Sequence, residues 1–410
     1  MTRRGCVRLL TGQTVAIGAV LVAIAVTPAA QTTISDKPDN PYKLATFEAA
    51  GKTHVGLVLG TRVLAIDGAN QYLVQQAKVA RVAIPSEMRA IIEQYATVSP
   101  RLYQIANYFK TNPTAGLPFA FDADKVTYKA PIKYPWNILA IAANYKAHAE
   151  GMGGGRAEPP PAPAAGRGQR GDAAGRGDQG GRGEGGRAGG GGFDATAAAR
   201  IVPDRDAPIF FAKSPRSCII DPNEPYYIVD GRQRTDYEGE MAIIMGPTPA
   251  FRVPRERAHD YVFGYSIMQD ISDRGSERLR EVSMFPGVNW FEGKSTDRGA
   301  PFGPVIVPKE FLPKAADLHL TTKVNGETLQ DARTSEFIWD EAHMIGFLTS
   351  RLTLYPGDVI SSGTPAGTGA ERGKFLKPGD VVTIEIEGIG TLTTPFKALS
   401  EKPGGRVSQP

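Results

Sequence analysis

Cysteine is nearly absent from this 410-residue chain, which has only Cys6 and Cys218. That excludes a disulfide-stapled scaffold and a cysteine-built zinc site. An excess of one charge is also missing: 47 Lys and Arg stand against 43 Asp and Glu, a formal net charge of +4. Charge alone therefore leaves no footprint of a nucleic-acid partner. Long apolar runs are lacking too. The best of them, Val15 to Val26, would form about 18 Å of helix, short of the ~30 Å membrane core. The length allows two or three domains at roughly 100 to 200 residues each. What the chain has in excess is glycine, 47 residues, with 32 prolines.

Two segments read as lying outside any folded core. Residues 1–30 have the form of an export signal. Arg3, Arg4 and Arg8 precede the apolar stretch, and Thr27-Pro28-Ala29-Ala30 offers small residues for cleavage. The expectation is a periplasmic or secreted protein, exported by the Sec or the twin-arginine route and keeping no stable membrane anchor. Cys218 would then be its only cysteine. The second segment, 153–192, holds 17 glycines in 40 positions and no Leu, Ile, Val, Phe, Tyr or Trp. It cannot bury apolar surface to offset chain entropy, so it is predicted to be a disordered insertion. Its Gly-Arg pattern resembles nucleic-acid-binding segments, but it has no aromatic residue to stack on bases, and no nucleic-acid partner is expected.

The remainder predicts a mainly β fold with some helix, of the α+β kind. Tyr42 to Asp67 reads as a meander of about three strands, and Pro85 to Phe109 as two short helices. These define a small N-terminal domain over 36–125. From 130 to 400 short apolar runs dominate: Ile138–Ala142, Ile209–Phe211, Cys218–Ile220, Met241–Met245, Tyr261–Met268, Val305–Val307, Leu318–Val324, Asp358–Ser361 and Val381–Ile386. Asn325-Gly326 is a two-residue hairpin turn, and Asp340 to Leu352 has the spacing of one helix. Many short strands with Gly and Pro turns argue for a closed or sandwiched β domain.

The sharpest cluster of polar residues is Thr235-Asp236-Tyr237-Glu238-Gly239-Glu240, which runs straight into an apolar strand. Residues two apart share a strand face, so Glu238 and Glu240 point the same way. Two readings stand: a solvent-facing strand edge, or a cation site that removes the repulsion between them. A second apolar strand ends in Asp270. Three oxygen ligands without Cys or His suit Mg²⁺ or Mn²⁺ rather than Zn²⁺. Arg274 and Lys294 follow, either as surface charges or as holders of a substrate carboxylate or oxyanion. The loop Ser362 to Gly369 is either a plain turn or a source of backbone N–H groups for an anion. His148, five residues before the insertion, is either a solvated helix residue or a general base, with Glu150 the nearest acid.

Eight stretches in one order resemble the fumarylacetoacetate hydrolase family: NYKAHAE, PIFFAKSPRS, DYEGEMAIIMG, GYSIMQDISDR, WFEGKSTDRGAPFGPVIV, VNGETLQDARTSEFI, LYPGDVISSGTPAGTG and KPGDVVTIEIEGIGTL. The resemblance implies a mixed β-roll, a homodimer, and Mg²⁺ or Mn²⁺ held by residues matching Glu238, Glu240 and Asp270. It implies that Lys294 is the active-site lysine, that Arg274 and Thr364 hold the substrate, and that His148 activates water from a lid. Hydrolytic relatives carry His-x-x-Glu, but here Gly151 stands third after His148, and Glu150, two residues on, would not face it in a regular helix. The acid expected beside His148 is nonetheless Glu150. The family's long members add a metal-binding Asp shortly before the histidine, where this chain has Ala140-Ile141-Ala142-Ala143. The chain is thus similar to the smaller-subunit group acting on acylpyruvates and other 2-oxo acids. The implied activity is hydrolysis of a carbon–carbon bond through a metal-bound enolate. Decarboxylation, enol–keto isomerisation and non-catalytic 2-oxo acid binding are the alternatives.

Overall fold

The computed structural model describes residues 34–154, 200–275 and 290–403. The export signal expected at 1–30 lies outside the described residues, as does all but the start of the insertion expected at 153–192. The meander begins the described chain as β1 (Lys43–Ala49), β2 (Lys52–Leu59) and β3 (Arg62–Ala65). Ala50 and Gly51 both take positive φ between the paired Ala49 and Lys52, the turn that matches strand twist in a two-residue hairpin. Next is α1 (Ile66–Gln76), which was not expected from the sequence. It buries only Ile66, Ala69 and Leu73, too thin a stripe to stand out. The two expected helices are α2 (Met88–Glu93) and α3 (Tyr95–Thr111). Then come β4 (Ala120–Asp122), β5 (Thr127–Lys129), β6 (Ile138–Ala142) and α4 (Lys146–Gly154).

The second part runs through β7 (Ile209–Lys213), β8 (Ile219–Ile220), β9 (Tyr226–Ile228), β10 (Thr235–Asp236), β11 (Gly239–Met245), β12 (Val262–Gln269) and β13 (Ser272–Asp273). The strands β14 (Ala300–Pro308), β15 (His319–Val324), β16 (Glu327–Arg333), β17 (Val359–Ser361), β18 (Val381–Ile386) and β19 (Gly390–Ala398) complete it. The expected strand run at Cys218–Ile220 is split. Pro215, preset for helix at the first position, starts a single turn that takes Cys218 before β8 begins. The hairpin at Asn325-Gly326 and the helix Glu341–Thr349 form as the sequence predicts.

The result is mainly β, with few helices. Among the described residues, one twelve-stranded mixed sheet runs in the order β4-β3-β2-β1-β14-β12-β11-β17-β6-β7, with β5 on β1 and β8 on β14. A five-stranded sheet, β16-β15-β18-β19-β9, packs against it. The main core lies between them. Ile243, Ile267 and Val305 from the large sheet meet Leu320, Ile384 and Leu392 from the small one. Each such burial stabilises by about 1.5–3 kcal/mol before entropy is charged. The N-terminal region expected at 36–125 joins the large sheet directly, through Leu44 opposite Ile306. β11 and β12 are buried along their whole length, so their apolar runs are continuous rather than alternating. Their antiparallel register sets Gly239 against Gln269. This brings the start of one strand and the end of the other to the same edge of the core, where the polar residues collect.

Candidate active site

The backbone N–H of Asp270 donates to the carbonyl of Glu238 at 2.9 Å, which extends the β11–β12 pairing by one step beyond the strands. β11 itself begins at Gly239, so Glu238 lies just before the strand and not on its face as the sequence suggested. The carboxylates converge all the same. Glu238, Glu240 and Asp270 each offer an oxygen, and these lie within 4.8 Å of one another. All three side chains are buried, which excludes the solvent-facing edge for this Glu-x-Glu.

Three cations surround two of these acids. Lys294 Nζ donates to Glu238 Oε2 at 2.7 Å and to Asp270 Oδ2 at 2.6 Å. Lys213 Nζ, fully buried, donates to Asp270 Oδ1 at 2.5 Å and to the Ile271 carbonyl. Arg274 Nε donates to Asp236 Oδ2 at 3.0 Å, and its guanidinium also pairs with Glu238. Burial alone would raise Glu238, but Lys294 and Arg274 outweigh it and hold the carboxyl below its usual range. Burial likewise opposes charge on Lys294, yet Asp270 and Glu238 raise it. Glu240 has no such partner. Its Oε2 accepts from the Ser361 hydroxyl at 2.5 Å and the Gly363 amide at 2.8 Å. Burial, with the charges of Asp270 and Glu238 added, pushes it up to about 8.

This donor set fits a hard divalent cation. It is oxygen-only, enclosed and acidic, and Glu240 is the member that bonds to a hydroxyl and an amide rather than to a side-chain cation. Nearby, the buried hydroxyls of Tyr145 and Ser362 have no hydrogen-bond partner among the described residues, and Tyr145 is close enough to feel the charge of Glu240.

His148 is buried on α4 and interacts electrostatically with Glu238. Its carboxylate partner is not Glu150, as expected, but Glu371, whose Oε1 lies 2.6 Å from His148 Nδ1. Glu150 is two positions away on the same helix and faces solvent, as a 3.6-residue period requires. Burial would raise Glu371, but the bond and charge of His148 and the amides of Gly367 and Thr368 hold it below the usual range. Thr364, expected at the substrate, has its hydroxyl committed: it donates to the Gly239 carbonyl at 3.1 Å and accepts from Gln330 at 2.8 Å.

Sequence reasoning gave no role to three residues of the cluster. Asp236 continues the period-two series of acids, 236, 238 and 240, and that series was a usable signal. Lys213 sits at the inward end of β7 within PIFFAKSPRS. Glu371 closes a Thr-x-x-Glu capping box with Thr368, but nothing local ties it to a histidine 223 residues away.

A family model for the C-terminal region of fumarylacetoacetate hydrolase matches residues 188–397, about half of the chain. The chain belongs to the fumarylacetoacetate hydrolase family. It has the mixed sheets of its structural neighbours. An uncharacterized protein of Staphylococcus aureus strain USA300 is 41% identical over 167 residues, which cover 40% of this chain and 53% of that protein. The chain thus spans about half the length of the curated relatives it matches. The solved fumarylacetoacetate hydrolase of Exiguobacterium antarcticum is similar at 27% identity and a TM-score of 0.57, covering 87% of this chain and 99% of its own. Maleylpyruvate hydrolase from Sphingobium sp. SYK-6, solved with manganese(II) and pyruvate, shares the fold at 23% identity and a TM-score of 0.56, with the same coverage.

Proposed function

We propose that this enzyme hydrolyses a carbon–carbon bond in an acylpyruvate or a related 2,4-dioxo acid. The observation that carries this reading is a histidine–carboxylate pair, His148 and Glu371, beside three buried carboxylates and their lysines. Glu238, Glu240 and Asp270 would hold Mg²⁺ or Mn²⁺, whose charge stabilises negative charge developing on a 2-oxo acid. Arg274, the most exposed of the three cations, presents its guanidinium to the substrate carboxylate. Thr364 supports this surface by fixing its loop to β11.

The Glu371 carboxylate accepts a hydrogen bond from the Nδ1–H of His148, which leaves the Nε2 lone pair to take a proton from water. That water adds to the distal carbonyl. The carbon–carbon electron pair then passes to the pyruvate side, where carbon takes up a proton, and the acyl side leaves as a carboxylic acid. Lys294 lies where it can donate to the developing oxyanion.

The test is a panel of acylpyruvates, oxaloacetate and enol diacids, with and without chelator. The expected result is release of pyruvate and a carboxylic acid in equal amounts, lost on chelation. Carbon dioxide release, or isomerisation without cleavage, replaces hydrolysis with the corresponding reaction. Full activity of Glu238→Ala without added metal removes the metal from the scheme. We also propose that the enzyme is exported and dimeric, which intact mass and sedimentation measurements check.

A further inference from the structure

We propose that the acyl group of the substrate is apolar, and that it lies along one face of β6 and β7 that leads outward from the carboxylate cluster. The inference rests on the hydrolytic reading above and adds the class of acyl group. β7 ends the path of the large sheet and pairs antiparallel with β6. Residues directly opposite on such strands share a face, as do residues two apart on one strand. The register sets Phe211 against Ala140 and Ile209 against Ala142. Lys213, Phe211 and Ile209 therefore follow one another on a single face of β7. Lys213 is bonded to Asp270, Lys294 Nζ lies 5.0 Å from the centre of the Phe211 ring, and Ile209 reaches solvent at 45% exposure. Phe211 packs on Ala140 and Ala142, and Trp290 stacks on it at 5.2 Å. Beyond Phe211 the same face opens into a cavity of about 120 Å³ lined by Ala142, Ala143, Ile201, Ile209 and Trp339.

This apolar surface joins the two residues that flank the reacting carbonyl. β6 leads into α4, which carries His148, and one helical turn, Trp290–Lys294, supplies both Trp290 and Lys294. In the hydrolytic scheme the distal carbonyl takes water from the His148 side and a hydrogen bond from Lys294. Its acyl substituent then runs over Phe211 and Ala142 toward the cavity. Charge on this path is unsuited to a second carboxylate. Lys213 and Lys294, at the inner end, are committed to Asp270 and Glu238. Among the described residues that line the cavity, the charged one is Asp206, whose carboxylate is bonded to Arg205 and to the Val202 amide. A distal carboxylate would lose hydration there without gaining a partner, whereas an alkyl or aryl group would bury apolar surface.

The test compares acetylpyruvate, hexanoylpyruvate and maleylpyruvate in the presence of Mn²⁺. From acetyl to hexanoyl, kcat/KM should rise at least about 30-fold, and maleylpyruvate should fall at least about tenfold below hexanoylpyruvate. Calorimetry on His148→Gln, which leaves the substrate intact, should give the same order in Kd, with the more negative heat-capacity change for hexanoylpyruvate. Ile209→Lys adds a cation at the exposed outer end of an edge strand, where lysine is tolerated. It should shift the ratio of the two toward maleylpyruvate by at least about tenfold. Ala142→Leu, which fills the path, should remove the advantage of hexanoyl over acetyl. An equal or inverted order in the parent overturns the proposal, and so does a ratio that Ile209→Lys leaves unmoved. Absence of cleavage across the whole panel overturns the hydrolytic reading instead, and the order of Kd values then still decides the acyl path.

Discussion

Replacing Glu240 by Gln tests how charge is balanced in the cluster. Glu240 rises from an ordinary 4.5 to about 8 in the folded chain. In the unfolded chain it ionises near 4.5, so between those values the folded state holds a proton that the unfolded state has released. Stability must then fall as pH rises across that window. The span is about 3.5 units, and at about 1.4 kcal/mol per unit the folded state loses on the order of 5 kcal/mol. Gln cannot ionise, and its amide oxygen can accept the bonds from Ser361 and Gly363. In chelator the variant should therefore match the parent near pH 5 and exceed it above pH 8. The difference in Tm should be on the order of 10 °C, at roughly 2 °C per kcal/mol. With Mn²⁺ the order reverses, because only the ionised parent gains a ligand charge, and its metal affinity should climb with pH up to about 8. Thermal unfolding of both proteins across pH, with and without metal, measures all of this. Parallel curves for parent and variant in chelator would refute the reasoning.

Other outcomes follow from the same packing. Lys213→Met leaves Asp270 Oδ1 without its buried partner while Lys294 still holds Oδ2, so the metal-free protein should lose about 3 kcal/mol by denaturant titration. Gly264→Ala would put a Cβ 2.2 Å from the Val307 carbonyl oxygen, where both strands are backbone and neither can yield. It should cost at least about 3 kcal/mol, and a Tm within about 2 °C of the parent would contradict the strand packing. If the leader is cleaved as its sequence predicts, N-terminal sequencing of exported protein should begin close to Gln31.

The parts of the fold legible in the sequence were those with a local cause. The meander, the Asn325-Gly326 hairpin and the buried runs of β11 and β12 follow from turn chemistry and continuous hydrophobicity. α1 was not legible because its buried stripe is thin, and β9 because it is short and gains its place only by pairing with β19. The same division runs through the site. Glu238, Glu240 and Asp270 are visible as acids at the ends of apolar strands. The partner of His148 is not visible, because a pairing between 148 and 371 has no local period, only a missing side chain at 151 and a capping box elsewhere. Glu150 was the nearest acid in sequence, and helix geometry turns it away from the histidine.

The order of strands also bears on what part of this chain can exist alone. β6 lies inside the large sheet, parallel to β17 on one side and antiparallel to β7 on the other. The stretch matched by the family model, 188–397, begins after β6 and α4. Expressed by itself, it would carry the three carboxylates and Glu371 but not His148. It would also open the sheet at two raw edges where β6 had been, and at a third where β1 leaves β14. Exposed edges of this kind invite intermolecular pairing. The segment most readily recognised by family comparison is therefore not an autonomous folding unit, and a fragment cut to its limits should aggregate rather than bind metal.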